Sequence, residues 1–477
     1  MVLRLALIGV SALALSAADP VKLGRSTYLF IDNHWVDSLQ NIVRTLNQPV
    51  RHPQNPVLRA DQPWEDGMVV LQPGTVIYDE QEKIFKMWYE APTNVRERHP
   101  STYLCYATSR DGVNWEKPKL GVFEFRGSRA NNIVLAAVQH GGNWFSHSVL
   151  KDDADPDPAH RYKVIFWDQS PLEGGYGFFV AFSPDGIRWR RHSNNPVVPA
   201  SQSGDTGCVM WSPRDKQYVF FQKSAITPTR KVARMISKDF VHWEGGRLVL
   251  EPDPLDPPDT EFYGMSAFPY ADRYIGMIWI FHTYPQRMDA QLASSFDAVH
   301  WDRVVPRRIF LPLGYQRNDY SGQSFDSEML FPASRPVPFG DQLMIYYSGF
   351  NRTHNSFNNQ SGIGLTTLRL DGFVSLDAAV TPGVVVTKPF IFDAARLAVN
   401  VREVSKGAGD PTLRAEIQDA NGAPLAGYDL VRSDAVSSGV KTALSWNGKS
   451  DLSGMNGNPV RLKFVLNNVK FYSFHAE

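Results

Sequence analysis

Apolar positions along the chain fall in short aromatic and β-branched runs, "KIFKMWYEA", "HRYKVIFW", "KQYVFFQK", "RYIGMIWIF" and "DQLMIYYSG", cut by Gly, Pro, Asn and Asp turns. Beyond the N-terminus almost nothing sustains a 3.6-residue period, so the pattern predicts an all-β chain. Four of the runs lead into a turn of one kind: "YATSRDGVNWEKP" (residues 106–118), "FSPDGIRW", "ISKDFVHW" and "SSFDAVHW". Aligned, these bring Ser109, Ser183, Ser237 and Ser295 into register. Each is followed by Asp111, Asp185, Asp239 or Asp297, and then by Trp115, Trp189, Trp243 or Trp301. The copies lie roughly 55 to 75 residues apart, the length of a four-stranded unit. After the fifth run, "GIGLTTLRLDGFVSL" keeps the outline of the strand and turn with the tryptophan lost. Five such repeats predict a five-bladed β-propeller, in which radial repetition leaves only short sheet edges. The turn aspartates are read as structural, bonding the amides of their own turns.

From about residue 376 the pattern becomes plain alternation, "RLAVNV", "TLRAEIQD" and "VRLKFVLNNVKFYSF", which predicts a small C-terminal β-sandwich over residues 376–477. Residues 19–375 are assigned to the propeller. Within them, 19–64 form a strand that helps close the ring and an arm across its face. The first 18 residues have one early cation, Arg4, a short apolar run and small residues at Ser16 and Ala18, and read as a cleaved signal peptide. The expectation is a secreted or periplasmic protein with no membrane span. Lysine plus arginine balances aspartate plus glutamate at 49 each, so no long-range field favours nucleic acid. Aromatic residues make up 12% of the chain, enough to stack on sugar rings as well as pack a core. Cys105 and Cys208 lie in apolar runs and read as small buried hydrophobes, not a disulfide.

In a propeller the innermost strands line the channel, so polar residues at their entrances converge on one point. The inner strands read as "GMVVLQPGTVIYD", "FSHSVLKDD", "DTGCVMW", "TEFYGMSAFPY" and "SEMLFPASRP". Their entrances carry Glu65 and Asp66, His147, Asp205, Asp259 with Glu261, and Asp326 with Glu328. Crowded carboxylates push one another's pKa apart, which supplies the acid and the base that glycoside hydrolysis needs. The alternative is that they cap strand ends or hold an ion, and a structural calcium in the channel is the one metal considered; no cofactor is required. The acidic "KDDADPDPAHRYK" (residues 151–163) reads as a solvated hairpin. Trp64, Trp144 and Tyr263 are candidate stacking residues, and His147, Asp326 and Glu328 candidate substrate ligands.

Through "HPQNPVL", "GTVIYDEQEKIFKMWYEA", "YLCYATSRDGVNWEKP", "DPDPAHRYK" and the sandwich that follows, the chain resembles the five-bladed propellers of glycoside hydrolase families 32 and 43. The resemblance implies three acting carboxylates, on the inner strands of blades one, three and four. By position these are Asp66, or its neighbour Glu65, as nucleophile or base, Asp205 as the residue that steadies the transition state, and Glu261 as general acid. NDPNG-like, RDP and EC motifs are absent, and Gln72-Pro73 stands where family 43 shows Asp-Pro; Glu328 is then the substitute base. The implied function is an exported, exo-acting hydrolase that removes a terminal sugar, furanosidic in one version, from an oligosaccharide or polysaccharide. The alternatives are a non-catalytic carbohydrate-binding propeller and a glycoside phosphorylase, the latter with Arg317 and Arg161 as its candidate cations. The sequons at Asn351 and Asn359 add nothing to the choice.

Overall fold

The computed structural model describes residues 21–92, 102–137, 146–170, 175–224, 228–315, 324–356, 360–404 and 409–477. The signal-peptide expectation, Trp144, Arg317 and Asn359 fall outside them. The described residues contain strands, loops and two single-turn 3-10 segments, Pro158–His160 and Ser453–Met455, with no α-helix. The protein is an all-β propeller joined to a β-sandwich. Among the described residues no helix is long and apolar enough to cross a membrane.

The propeller strands group into five antiparallel units. The first is Val70–Asp79, Ile84–Pro92, Thr102–Ser109 and Ile133–Ala136. The second begins His147–Lys151, Tyr162–Ser170 and Gly175–Ser183, and the third is Gly207–Ser212, Gln217–Lys223, Val232–Ser237 and Glu244–Leu250. The fourth begins Thr260–Tyr270, Arg273–His282 and Arg287–Ser295. The fifth is Met329–Pro332, Gln342–Phe350 and Ser361–Arg369, and its outer edge comes from the N-terminal strands Val50–Arg51 and Leu58–Arg59, which closes the ring. The first strand of each unit is innermost, and these strands run the same way. His147 pairs in parallel with Pro73, and the Oγ atoms of Ser146 and Ser148 accept in step from the amides of Gly207 and Val209. One end of the channel is therefore lined by all the strand entrances.

The recurring turn is one hydrogen-bonded knot built four times. Each Ser Oγ donates to the following Asp Oδ1 at 2.9–3.1 Å and accepts the amide three residues on, while the same Oδ1 takes two further amides at 2.8–2.9 Å. The aspartates are structural, as expected. Each turn also plugs into the preceding blade. Tyr346 of blade five donates to the Gly112 carbonyl, and Trp88 of blade one donates to that of Gly186 at 2.7 Å. Gly186, at φ +76°, lies so close to the Trp88 ring that a Cβ would sit 2.7 Å from Cζ2, so a side chain is excluded on both grounds.

The N-terminal segment corrects the expected boundary. Only Val50–Arg51 and Leu58–Arg59 close the ring, whereas Val21–Leu23, Ser26–Leu29, Val36–Gln40 and Val43–Leu46 are strands of the sandwich, paired with Phe390–Phe392, Val469–Ala476, Gly383–Thr387 and Val374–Ala378. Alternation alone gave no means of telling which sheet those runs join. The sandwich core gathers Phe30 and Trp35 from this segment with Trp446, Phe464, Phe471 and Phe474. Cys105 and Cys208 are free and buried, and burial pushes the Cys208 thiol up to about 11.

Candidate active site

The entrance end of the channel is built from strand ends. Each blade's second strand runs antiparallel to its inner strand, so the second-to-third hairpin returns to the entrance and delivers side chains there. In blade three this places Lys223, the last residue of its strand, and Arg230 beside the acids that the inner strands bring. In blade five it places His354, just past Phe350.

Asp205 and Glu261, from the entrances of adjacent blades, are gathered around Tyr263. Lys223 Nζ lies 2.5 Å from Asp205 Oδ1 and 4.6 Å from the centre of the Tyr263 ring. Arg230 donates to Glu261 Oε2 at 2.6 Å, and its guanidinium is 5.1 Å from the same ring and 4.9 Å from that of Phe281. The Tyr263 hydroxyl and His354 Nε2 are 3.0 Å apart. Burial would raise the Asp205 pKa, but the charge and hydrogen bond of Lys223, with hydrogen bonds from Thr206 and the backbone, outweigh it and hold the carboxyl below its usual range. Asp205 nonetheless keeps 49% of its side-chain surface accessible. Burial, with help from Arg230 and Lys223, lowers the His354 pKa, so its imidazole is neutral at pH 7. Burial raises the Tyr263 phenol.

Glu328, 1% exposed, receives Arg287 Nε at 2.7 Å, and Gln72 reaches Thr206 Oγ1, next to Asp205, at 3.4 Å. The sequence led us to expect crowded carboxylates of unequal pKa. The structure shows Asp205, Glu261 and Glu328 each matched to a cation instead.

Several expected site residues have other work. Glu65 is fully buried; it takes the amides of Asp61 and Gln62, the Tyr89 hydroxyl at 2.6 Å and Lys117 at 2.7 Å, a set that locks the loop and leaves nothing for a substrate. Trp64 belongs to the blade-one core, with its indole N–H on Asn132, so it is no stacking platform. Asp66 is exposed on a left-handed turn at φ +46°. Blade one places Gln72 beside the Asp205 loop. His147 is sealed between blades one and two, its Nδ1 3.0 Å from Glu90 and its Nε2 2.9 Å from the Trp88 carbonyl, so it is a structural link and not a substrate ligand. Asp326 is 1% exposed and clamped by Arg51 and the Tyr347 hydroxyl, behind the ring closure. Arg161 pairs with Asp153 in the hairpin at the other end of the channel. That hairpin is held by Lys163, which bridges Asp152 and Asp155. Among the described residues no cluster of three or more His, Cys, Asp or Glu side chains could hold a metal.

Lys223, Arg230, Arg287 and His354 were missed by sequence reasoning that followed inner strands alone. The signal was present: a charged residue ending an apolar second strand, or opening the third, must sit at the entrance end.

No family model and no curated protein matches the chain. Solved structures that it is similar to include a glycosyl hydrolase from Bacteroides ovatus (15% identity, 68% of this chain and 94% of that one, TM-score 0.46). Others are a thermostable family-43 glycoside hydrolase (13%, 70% and 96%, 0.43) and a fructofuranosidase from Schwanniomyces occidentalis complexed with fructosylnystose (12%, 91% and 98%, 0.44). At such identity the likeness is one of fold.

Proposed function

We propose that the protein cleaves a glycosidic bond at the entrance end of its channel, as an exported enzyme that removes a terminal sugar. One observation carries the reading: Asp205 and Glu261, from the inner strands of adjacent blades, are drawn together with two cations and a neutral histidine around one tyrosine ring. Glycoside cleavage passes through an oxocarbenium-like state, and a carboxylate fixed nearby stabilises the charge that develops there. Asp205 is ionised at neutral pH and fits that role. Glu261 is the group to protonate the leaving oxygen, with Arg230 exchanging its hydrogen bond for the substrate as the site fills. Glu328 is a further carboxylate of the entrance, able to serve as nucleophile or as base for water once Arg287 turns to the sugar.

A second reading has an observation of its own. Lys223, Arg230 and Arg287 are three cations at the entrance, a set suited to phosphate as the attacking group instead of water. The test is to incubate the purified protein and its Glu261→Gln variant with aryl furanosides, aryl pyranosides and polysaccharides, with and without inorganic phosphate. Release of free sugar by the wild type, reduced at least about a hundredfold in the variant, supports hydrolysis with Glu261 as acid. Sugar 1-phosphate formed only when phosphate is present supports phosphorolysis. If nothing is released while a glycan still binds, the propeller is a binding module and the enzymatic reading fails.

A further inference from the structure

The opposite end of the channel opens into a cavity of about 960 Å3, within the size range of small-molecule sites. Leu150, Trp211 and Phe268, from the far ends of the inner strands of blades two to four, line it, and blade five contributes Arg335. Arg335 forms no hydrogen bond or ion pair with any described residue. Its side chain is exposed, and no charged neighbour stands beside it. The guanidinium is therefore an exposed, unpartnered cation on the wall of the cavity.

The other charges lining the cavity are committed. Lys163 holds Asp152 and Asp155, and Asp153 pairs with Lys151 and Arg161. Asp239 is taken by its own turn and by His242, Lys151 also reaches Asp79, and Lys238 donates to the carbonyls of Asp215 and Lys216. Arg335 is thus the one cation lining the cavity that no described residue occupies, open to an anion that enters it. The guanidinium fork matches a planar carboxylate with two parallel hydrogen bonds. Trp211, 40% exposed and edge-on to Tyr218 at 4.9 Å, supplies a flat apolar face in the same cavity, suited to a ring.

We propose that this cavity is a second ligand site, distinct from the entrance, that binds a small ring-bearing carboxylate through Arg335 with the ring lying on the aromatic wall. A sugar acid and an aromatic acid share that chemistry. The test titrates glucuronate and benzoate, with glucose and benzyl alcohol as neutral counterparts, into the full-length protein and its Arg335→Gln and Arg335→Lys variants. Tryptophan fluorescence and calorimetry report binding. Saturable binding of either acid, weakened at least about tenfold in Arg335→Gln and less in Arg335→Lys, supports the site, and the acid that binds identifies the source. Without ligand, Arg335→Gln should melt no lower than the wild type, since no partner is lost. Equal binding of a neutral counterpart, unchanged affinity in Arg335→Gln, a lowered melting temperature in that variant without ligand, or no saturation by either acid up to about 10 mM overturns the proposal and leaves a hydrated guanidinium.

Discussion

Glu65 and Asp205 are both acids at the blade entrances, and their surroundings assign them opposite tasks. Glu65 has two amides, a phenol and an ammonium on its two oxygens and no accessible surface. Breaking a buried ion pair by removing one partner strands the other, which costs about 3 kcal/mol or more. Lys117→Met should therefore lower the melting temperature sharply, while kcat per folded molecule stays at the wild-type value; a fall in kcat at unchanged stability would return Glu65 to the chemistry. Asp205 is balanced between burial, which raises its pKa, and Lys223, which with the Thr206 and backbone hydrogen bonds brings it below the usual range. In Lys223→Gln the largest lowering influence is gone and the carboxyl titrates at higher pH. The acid limb of the pH–rate profile should move upward in that variant and stay in place in Lys223→Arg. A profile whose acid limb is the same in both variants would show that Asp205 does not titrate in the rate-limiting step.

At the scale of elements, the Ser-x-Asp turn is the most instructed part of the chain. Asp111, Asp185, Asp239 and Asp297 would be raised by burial, but the amides and side chains bonded to them win and hold all four below the usual carboxylate range. A carboxyl depressed in the folded state stabilises it fully above the unfolded pKa of about 4, and that stabilisation is lost as the pH falls below it. Asp185→Ala, which removes two amide bonds as a lost helix cap does, should cost about 1 kcal/mol at neutral pH and less as the pH drops below about 4. Denaturant titrations at the two pH values check this, and a constant difference would mean that the carboxylate charge is not what the turn uses. The turn was legible in the sequence because its donors and acceptor lie within five residues of one another. The entrance acids were legible only as positions. Glu65 and Glu261 look alike in sequence, and what separates them is the partner each meets: Lys117 from blade one's long third-to-fourth connection, Arg230 from a hairpin in the next blade over. The cations at the entrance follow from hairpin geometry, which fixes where a second strand ends once the first is placed, and not from any local motif.

At the scale of the whole molecule, the chain enters and leaves through the sandwich and closes the propeller on the way. Strands from residues 21–46 complete both sheets of the sandwich, and only then do Val50–Arg51 and Leu58–Arg59 seal blade five. The junction is polar and specific. Asp272 of blade four takes the Trp35 indole N–H at 2.6 Å and the Leu29 amide, and Asp371, just after the third strand of blade five, accepts from Ser473 of the sandwich. The boundaries read from sequence would define the propeller as 19–375, but that fragment carries four strands stripped of their sheet partners, with Tyr28, Phe30 and Trp35 uncovered. Unpaired edges beside exposed aromatic faces are aggregation sites. A fragment of residues 47–375 keeps both ring-closing strands, and the apolar face it exposes is that of blades four and five covered by Leu29, Ile31 and Leu46. The shorter fragment should therefore be the more soluble of the two and monomeric by size exclusion, with the longer one aggregating. A monomeric 19–375 beside an aggregated 47–375 would mean that the N-terminal strands serve the propeller first and the sandwich second, against the pairing seen here.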